Sequence, residues 1–181
     1  MMRQTLDRLY SGALILAAAA FAAIAALVLV QIIGRLIDRG ARALGAVPPG
    51  ITVPSLAEIG GFLFLSAVFL GLAGTFARGG HVRVSLLTGA LPPTIARPLE
   101  ALVLIIAAGL CAFATWSSWL QAWDSWVYDS VSFGMVRVPL WLPQGVMTFG
   151  LVLLCIALID SLVTVIRGGT PHYAEHEQGE A

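Results

Sequence analysis

Few residues in this 181-residue chain have the types and spacing that chemistry requires. His172 and His176 are four apart, the spacing that sets two metal ligands on one helix face. Gly168-Gly169 and Pro171 argue against a helix there, and no third ligand is near, so a solvated tail is expected. Cys111 and Cys155 each lie inside an apolar run without a C-x-x-C partner, which reads as thiol packing and not a disulfide. Asp160 is the deepest acid, seven residues before Arg167. An Asp at a helix centre in lipid costs about 2.5–3.5 kcal/mol, so a buried Asp160 would want an ion-pair partner such as Arg78 or Arg83. If Val138–Ile159 already crosses the bilayer, Asp160 lies at its surface instead. No apolar run contains a histidine for haem, and the first has no acid for proton-coupled export. No catalytic residue, resident cofactor or metal set is expected.

The elements that hold these residues are set by missing charge. Hydrophobic residues make up 59% of the chain and charged residues 11%, where a soluble domain carries about a quarter. Ser11–Ile33 has no charge over 23 residues, Ile59–Ala77 none over 19, Ala101–Trp123 none over 23 and Val138–Ile159 none over 22. A bilayer core about 30 Å thick needs roughly 20 such residues per helix. The first run is too long for a signal-peptide core of about 7–15 residues, so it is expected to be kept as a helix. The fold class is an all-α integral membrane protein with four transmembrane helices plus short interfacial helices. The spans fall at approximately 11–33, 59–77, 101–123 and 142–166 in one domain, residues 1–167, with a polar, disordered tail at 168–181.

Every basic residue but histidine is Arg, net charge is zero, and no basic run suggests nucleic acid. With the N-terminus cytoplasmic, Arg3, Arg8, Arg78, Arg83, Arg97 and Arg167 fall inside and Arg35, Arg39, Arg42 and Arg137 outside. The excess inside favours both termini in the cytoplasm. Arg35, Arg39 and Arg42 form one helical stripe, so Arg35–Ala46 is expected to continue the first helix, its arginines reaching headgroups while another face rests on apolar material. Val82–Leu91 fits a short interfacial helix, Pro92-Pro93 ends it, and Pro98 would open the third span. Trp116, Trp119, Trp123, Trp126 and Trp141 gather near one membrane surface, as an aromatic belt would.

The second span carries a packing signal. Gly60, Ala67, Gly71, Gly74 and Arg78 project to one side of the helix, a groove of small residues ending in a guanidinium. Lipid supplies no hydrophobic drive between helices, so small residues that admit close backbone approach hold them together. The groove serves either the chain's own spans or a second membrane subunit.

Glu58 opens that span, Phe69-Leu70-Gly71 lies within it, and Arg78-Gly79-Gly80-His81-Val82-Arg83-Val84 follows, with Leu86-Leu87 and Leu91-Pro92 beyond. Val136-Arg137-Val138-Pro139-Leu140-Trp141 precedes the fourth span. In order and spacing these resemble the small membrane subunit, DctQ-type, of tripartite ATP-independent periplasmic (TRAP) transporters, across roughly residues 9–167. Ser85 stands where that family often has Asp. The resemblance implies a brace for a large multi-span membrane subunit that carries the substrate and sodium sites. A periplasmic substrate-binding protein would deliver an organic acid, and the setting would be a bacterial inner membrane. His81 and Arg83 would form a cytoplasmic interfacial motif. The alternatives are a stand-alone small four-helix transporter and an anchor subunit of another membrane complex.

Overall fold

The four uncharged runs become four helices, each long and apolar enough to cross a membrane. In the computed structural model, which describes residues 2–78 and 92–169, these are α1 (Met2–Ala43), α2 (Leu56–Ala77), α3 (Pro93–Val127) and α4 (Trp141–Ile166). The short helix expected over Val82–Leu91 and the tail from Thr170 lie outside the described residues.

All four helices outrun or shift the uncharged segments. At 1.5 Å per residue the 42 residues of α1 reach about 63 Å and the 35 of α3 about 52 Å, well beyond a hydrocarbon core of about 30 Å. The expected extension over Arg35–Ala46 is therefore helical as far as Ala43. It stops at Gly45, which takes φ 71° while Ala46 N–H donates to Ala41 O and Gly45 N–H to Arg42 O. This is a Schellman stop, and the left-handed residue it needs is one glycine adopts without a Cβ clash. The same pair of bonds closes α3 on Asp129 (φ 46°) and α4 on Gly168 (φ 77°). One boundary departs from expectation: α3 opens at Pro93, not Pro98. A proline at the first helical position loses no intrahelical bond, and Pro98, one turn further on, is exposed where its freed acceptor can be hydrated.

The helices pack in the order α1–α2–α4–α3, an open row and not a ring. α1 runs antiparallel to α2, with Leu14 beside Gly74 and Phe21 edge-on to Phe64. α3 runs antiparallel to α4, with Ser118 opposite Thr148 and Cys111 opposite Leu151. Two hairpins thus lie side by side, joined through α2 and α4. At that junction Gly150 accepts the backbone of Phe69 so closely that a Cβ would collide with its carbonyl. Ala67, Ala73, Leu153 and Ala157 fill the space around it with Tyr10, Ala13 and Ala17 of α1.

Each flanking helix meets its neighbour along a 3–4 repeat. On α3 the covered positions are Ala101, Leu104, Ala108, Cys111, Thr115, Ser118, Ala122 and Ser125. On α4 they are Gln144, Thr148, Leu151, Cys155, Leu158, Leu162 and Val165. On α1 the repeat runs from Tyr10 through Ala13, Ala17, Ala20, Ile24 and Leu27 to Gln31, Gly34, Asp38 and Ala41. Spacing near 3.5 residues keeps a seam facing its partner as helices wind around each other at a shallow left-handed angle. On α1 and α3 the seam turns from apolar to polar towards the end of the molecule that carries loops 44–55 and 128–140.

Candidate partner-facing surface

Several polar groups inside the described helices are engaged with the chain itself. Ser118 and Thr148 share a hydrogen bond of 2.6 Å, and Thr148 also donates to the Gln144 carbonyl at 2.9 Å. In the orientation its neighbours require, the Gln144 amide nitrogen donates to Ser125 Oγ at 2.7 Å and to the Gln121 carbonyl at 3.2 Å. Ser66, Thr75, Thr115 and Thr164 each donate to a carbonyl four residues back, which satisfies a hydroxyl where no water is present. The ladder between α3 and α4 was not legible from the sequence. Its signal is the seven-residue recurrence of Leu104, Cys111, Ser118 and Ser125, which hydropathy passes over.

Both loops are built onto helices. Gln31 Oε1 accepts from Val53 N–H at 2.7 Å and Asp38 Oδ1 from Gly50 N–H at 2.9 Å. Between them Gly34 lets the Ile51 carbonyl close onto α1 where a Cβ would collide. Loop 44–55 is thereby strapped along one side of α1. Loop 128–140 is pinned internally by Ser132 N–H to Val138 O and Leu140 N–H to Ser130 O, each 2.9 Å. It is pinned externally by Ser55, whose φ of 53° turns its hydroxyl away from its own helix to accept Val136 N–H at 3.0 Å. Glu58, the acid that opens α2, presses a buried carboxylate oxygen onto Gly134, with no hydrogen-bond partner for that oxygen among the described residues. Trp126 meets Trp141 edge-on at 4.8 Å beside this loop, while Trp116, Trp119 and Trp123 stand more than half exposed on the outer side of α3.

The small-residue stripe on α2 is divided. Ala67 is 2% exposed in the core shared with α1 and α4, and a Cβ on Gly74 would meet Leu14 at 2.5 Å. Those two positions are occupied by the chain's own α1. Gly60 and Gly71 have open space where a Cβ would stand, and Arg78 is exposed at the end of the stripe. Beside them Gly61, Phe64 and Val68 form an uncovered strip, and α4 keeps its own in Phe149, Val152, Ile156 and Ile159. Asp160 is half-buried on α4, and Tyr10 of α1 keeps a buried hydroxyl that has no hydrogen-bond partner among the described residues. Of the two partners expected for Asp160, Arg78 is exposed and Arg83, with His81, lies outside the described residues.

A family model described as tripartite ATP-independent periplasmic transporters, DctQ component, matches residues 24–168. That range takes in the last part of α1, all of α2, α3 and α4, and both strapped loops. Comparison with curated proteins finds no match.

Proposed function

Starting from the fact that this chain belongs to the DctQ family, the small membrane components of TRAP transporters, we propose that it braces a large transport subunit from the side. The observation that carries this reading is the open row α1–α2–α4–α3, in which both central helices keep an uncovered apolar strip. A closed four-helix bundle would spend those strips on itself, whereas a slab offers them to a neighbour. The hydroxyls of Ser66, Thr75, Thr115, Thr148 and Thr164 are spent on the chain's own carbonyls and that of Ser118 on the α3–α4 ladder, which suits support better than a solute path. Overhanging helices with arginines at both ends would hold the slab at a set depth.

In this reading the open part of the α2 stripe, Gly60 and Gly71 with Arg78 at its foot, receives the large subunit, and Ala67 and Gly74 support it from behind through α1. Transport would run in the partner, driven by an ion gradient such as sodium, with an organic acid delivered by a periplasmic binding protein. The complex would sit in a bacterial inner membrane with both termini of this chain cytoplasmic. His81 and Arg83 belong, on this account, to the cytoplasmic surface, and so does Asp160, half-buried near the end of α4.

Replacing Gly60 and Gly71 together with Leu tests the interface at the two stripe positions where an added Cβ would meet nothing within 4 Å. The double variant should insert and fold as before yet lose most of its co-purifying large subunit. Co-purification at the original yield would remove this stripe from the interface.

A further inference from the structure

The end of α1 beyond Ile33 is divided into three sectors by its helical geometry. Gln31, Gly34, Asp38 and Ala41 face the strapped loop and are covered by it. Next around the helix come Arg35, Arg39 and Arg42, all exposed and spread over roughly 10 Å of its axis. The remaining sector holds Leu36 and Ile37, 58% and 45% exposed, with Gly40 and Leu44. It runs without a break into Val30, Ile32 and Ile33 on the outward side of the span.

We propose that this end of α1 is a docking surface for acidic phospholipid. Arg35, Arg39 and Arg42 bind the phosphodiester oxygens of the headgroups, and Leu36 and Ile37 lie among the upper acyl carbons. Charge decides the occupant. Asp38 is the single acid of α1 after Asp7, and it is buried with Oδ1 held by Gly50 N–H. The three exposed arginines therefore stand beside no free carboxylate of their own helix, and Arg42 spends its Nε on the Asp38 carbonyl at 3.3 Å. A guanidinium presents paired donors that match two phosphate oxygens. Continuity favours lipid over protein, because the apolar sector extends the exposed apolar side of a span long and apolar enough to cross a membrane. The strap matters as well. With one side fixed to residues 50–53, the helix cannot roll, and the arginines stay at a single depth.

The test uses the full-length chain in bilayers with equal amounts of phosphatidylglycerol and phosphatidylcholine, followed by native mass spectrometry of the retained lipid. Wild type should keep phosphatidylglycerol in preference, and that preference should fall when salt is raised, as it must for exposed charges. Arg→Gln changes at 35, 39 and 42 should each lower it by about fivefold. Arg137→Gln, an exposed charge at the same end but off α1, should leave it within about twofold. Unchanged circular dichroism and elution would establish that the variants fold. Equal retention of the two lipids by wild type, or an unaltered preference in the triple variant, would overturn the proposal. So would a triple variant that keeps its lipid but no longer co-purifies with the large subunit, since the stripe would then be a protein contact.

Discussion

At the scale of single residues, the structure separates glycines that the sequence cannot tell apart. Gly145 and Gly150 lie on the same helix, yet a Cβ meets nothing within 4 Å at the first and the Phe69 backbone at the second. A clash with backbone cannot be relieved by a rotamer change, so α2 and α4 would have to separate. Gly150→Ala is expected to cost roughly 1–3 kcal/mol, while Gly145→Ala stays within about 0.5 kcal/mol or gains from better helix propensity. Equilibrium unfolding in mixed micelles measures both, and equal values would contradict the close α2–α4 approach. The same logic divides the α2 stripe. Gly60, Ala67, Gly71 and Gly74 were legible as a set of small residues, but which of them another helix already occupies depends on Leu14, over fifty residues away in sequence.

At the scale of elements, the apolar runs made all four helices legible, and the arginine spacing made the extension of α1 legible too. The seams were not. In a soluble helix the buried side is marked by hydropathy, but a membrane helix is apolar on its outer side as well. The outward Leu102, Ile106, Leu110 and Phe113 of α3 are as hydrophobic as anything beneath them. Residue size and scattered hydroxyls carry the register instead, through Cys111, Ser118 and Ser125 against Leu151, Thr148 and Gln144. The loops were illegible for a different reason, since Ser55 holds Val136 across 81 positions of sequence. Hydrogen bonds between membrane helices average about 0.6 kcal/mol and reach about 1.7. Ser118→Ala should therefore weaken the α3–α4 hairpin by that amount, and Thr148→Val should cost little more once Ser118 is gone. A double-mutant cycle reads the coupling, and strict additivity of the two changes would show that the 2.6 Å contact contributes nothing.

At the scale of the whole molecule, two hairpins side by side make a slab whose stability comes from neighbour contacts along a row. Such a shape leaves lateral surface uncovered, and membership of the DctQ family implies a complex with a large membrane subunit, the neighbour we propose to cover it. The family was legible from the order of Glu58, Phe69-Leu70-Gly71 and the Arg78–Val84 motif, whereas the row was not, because sequence order places α3 after α2 and the fold places α4 between them. The central claim is that this chain works as the lateral brace of a transporter and not alone. Affinity purification of the tagged chain from its native membrane in mild detergent, with the stoichiometry of what accompanies it, tests that most directly. The account predicts a much larger multi-span protein at one-to-one stoichiometry. A homogeneous assembly of this chain with no larger partner, active in solute uptake when reconstituted by itself, would contradict it.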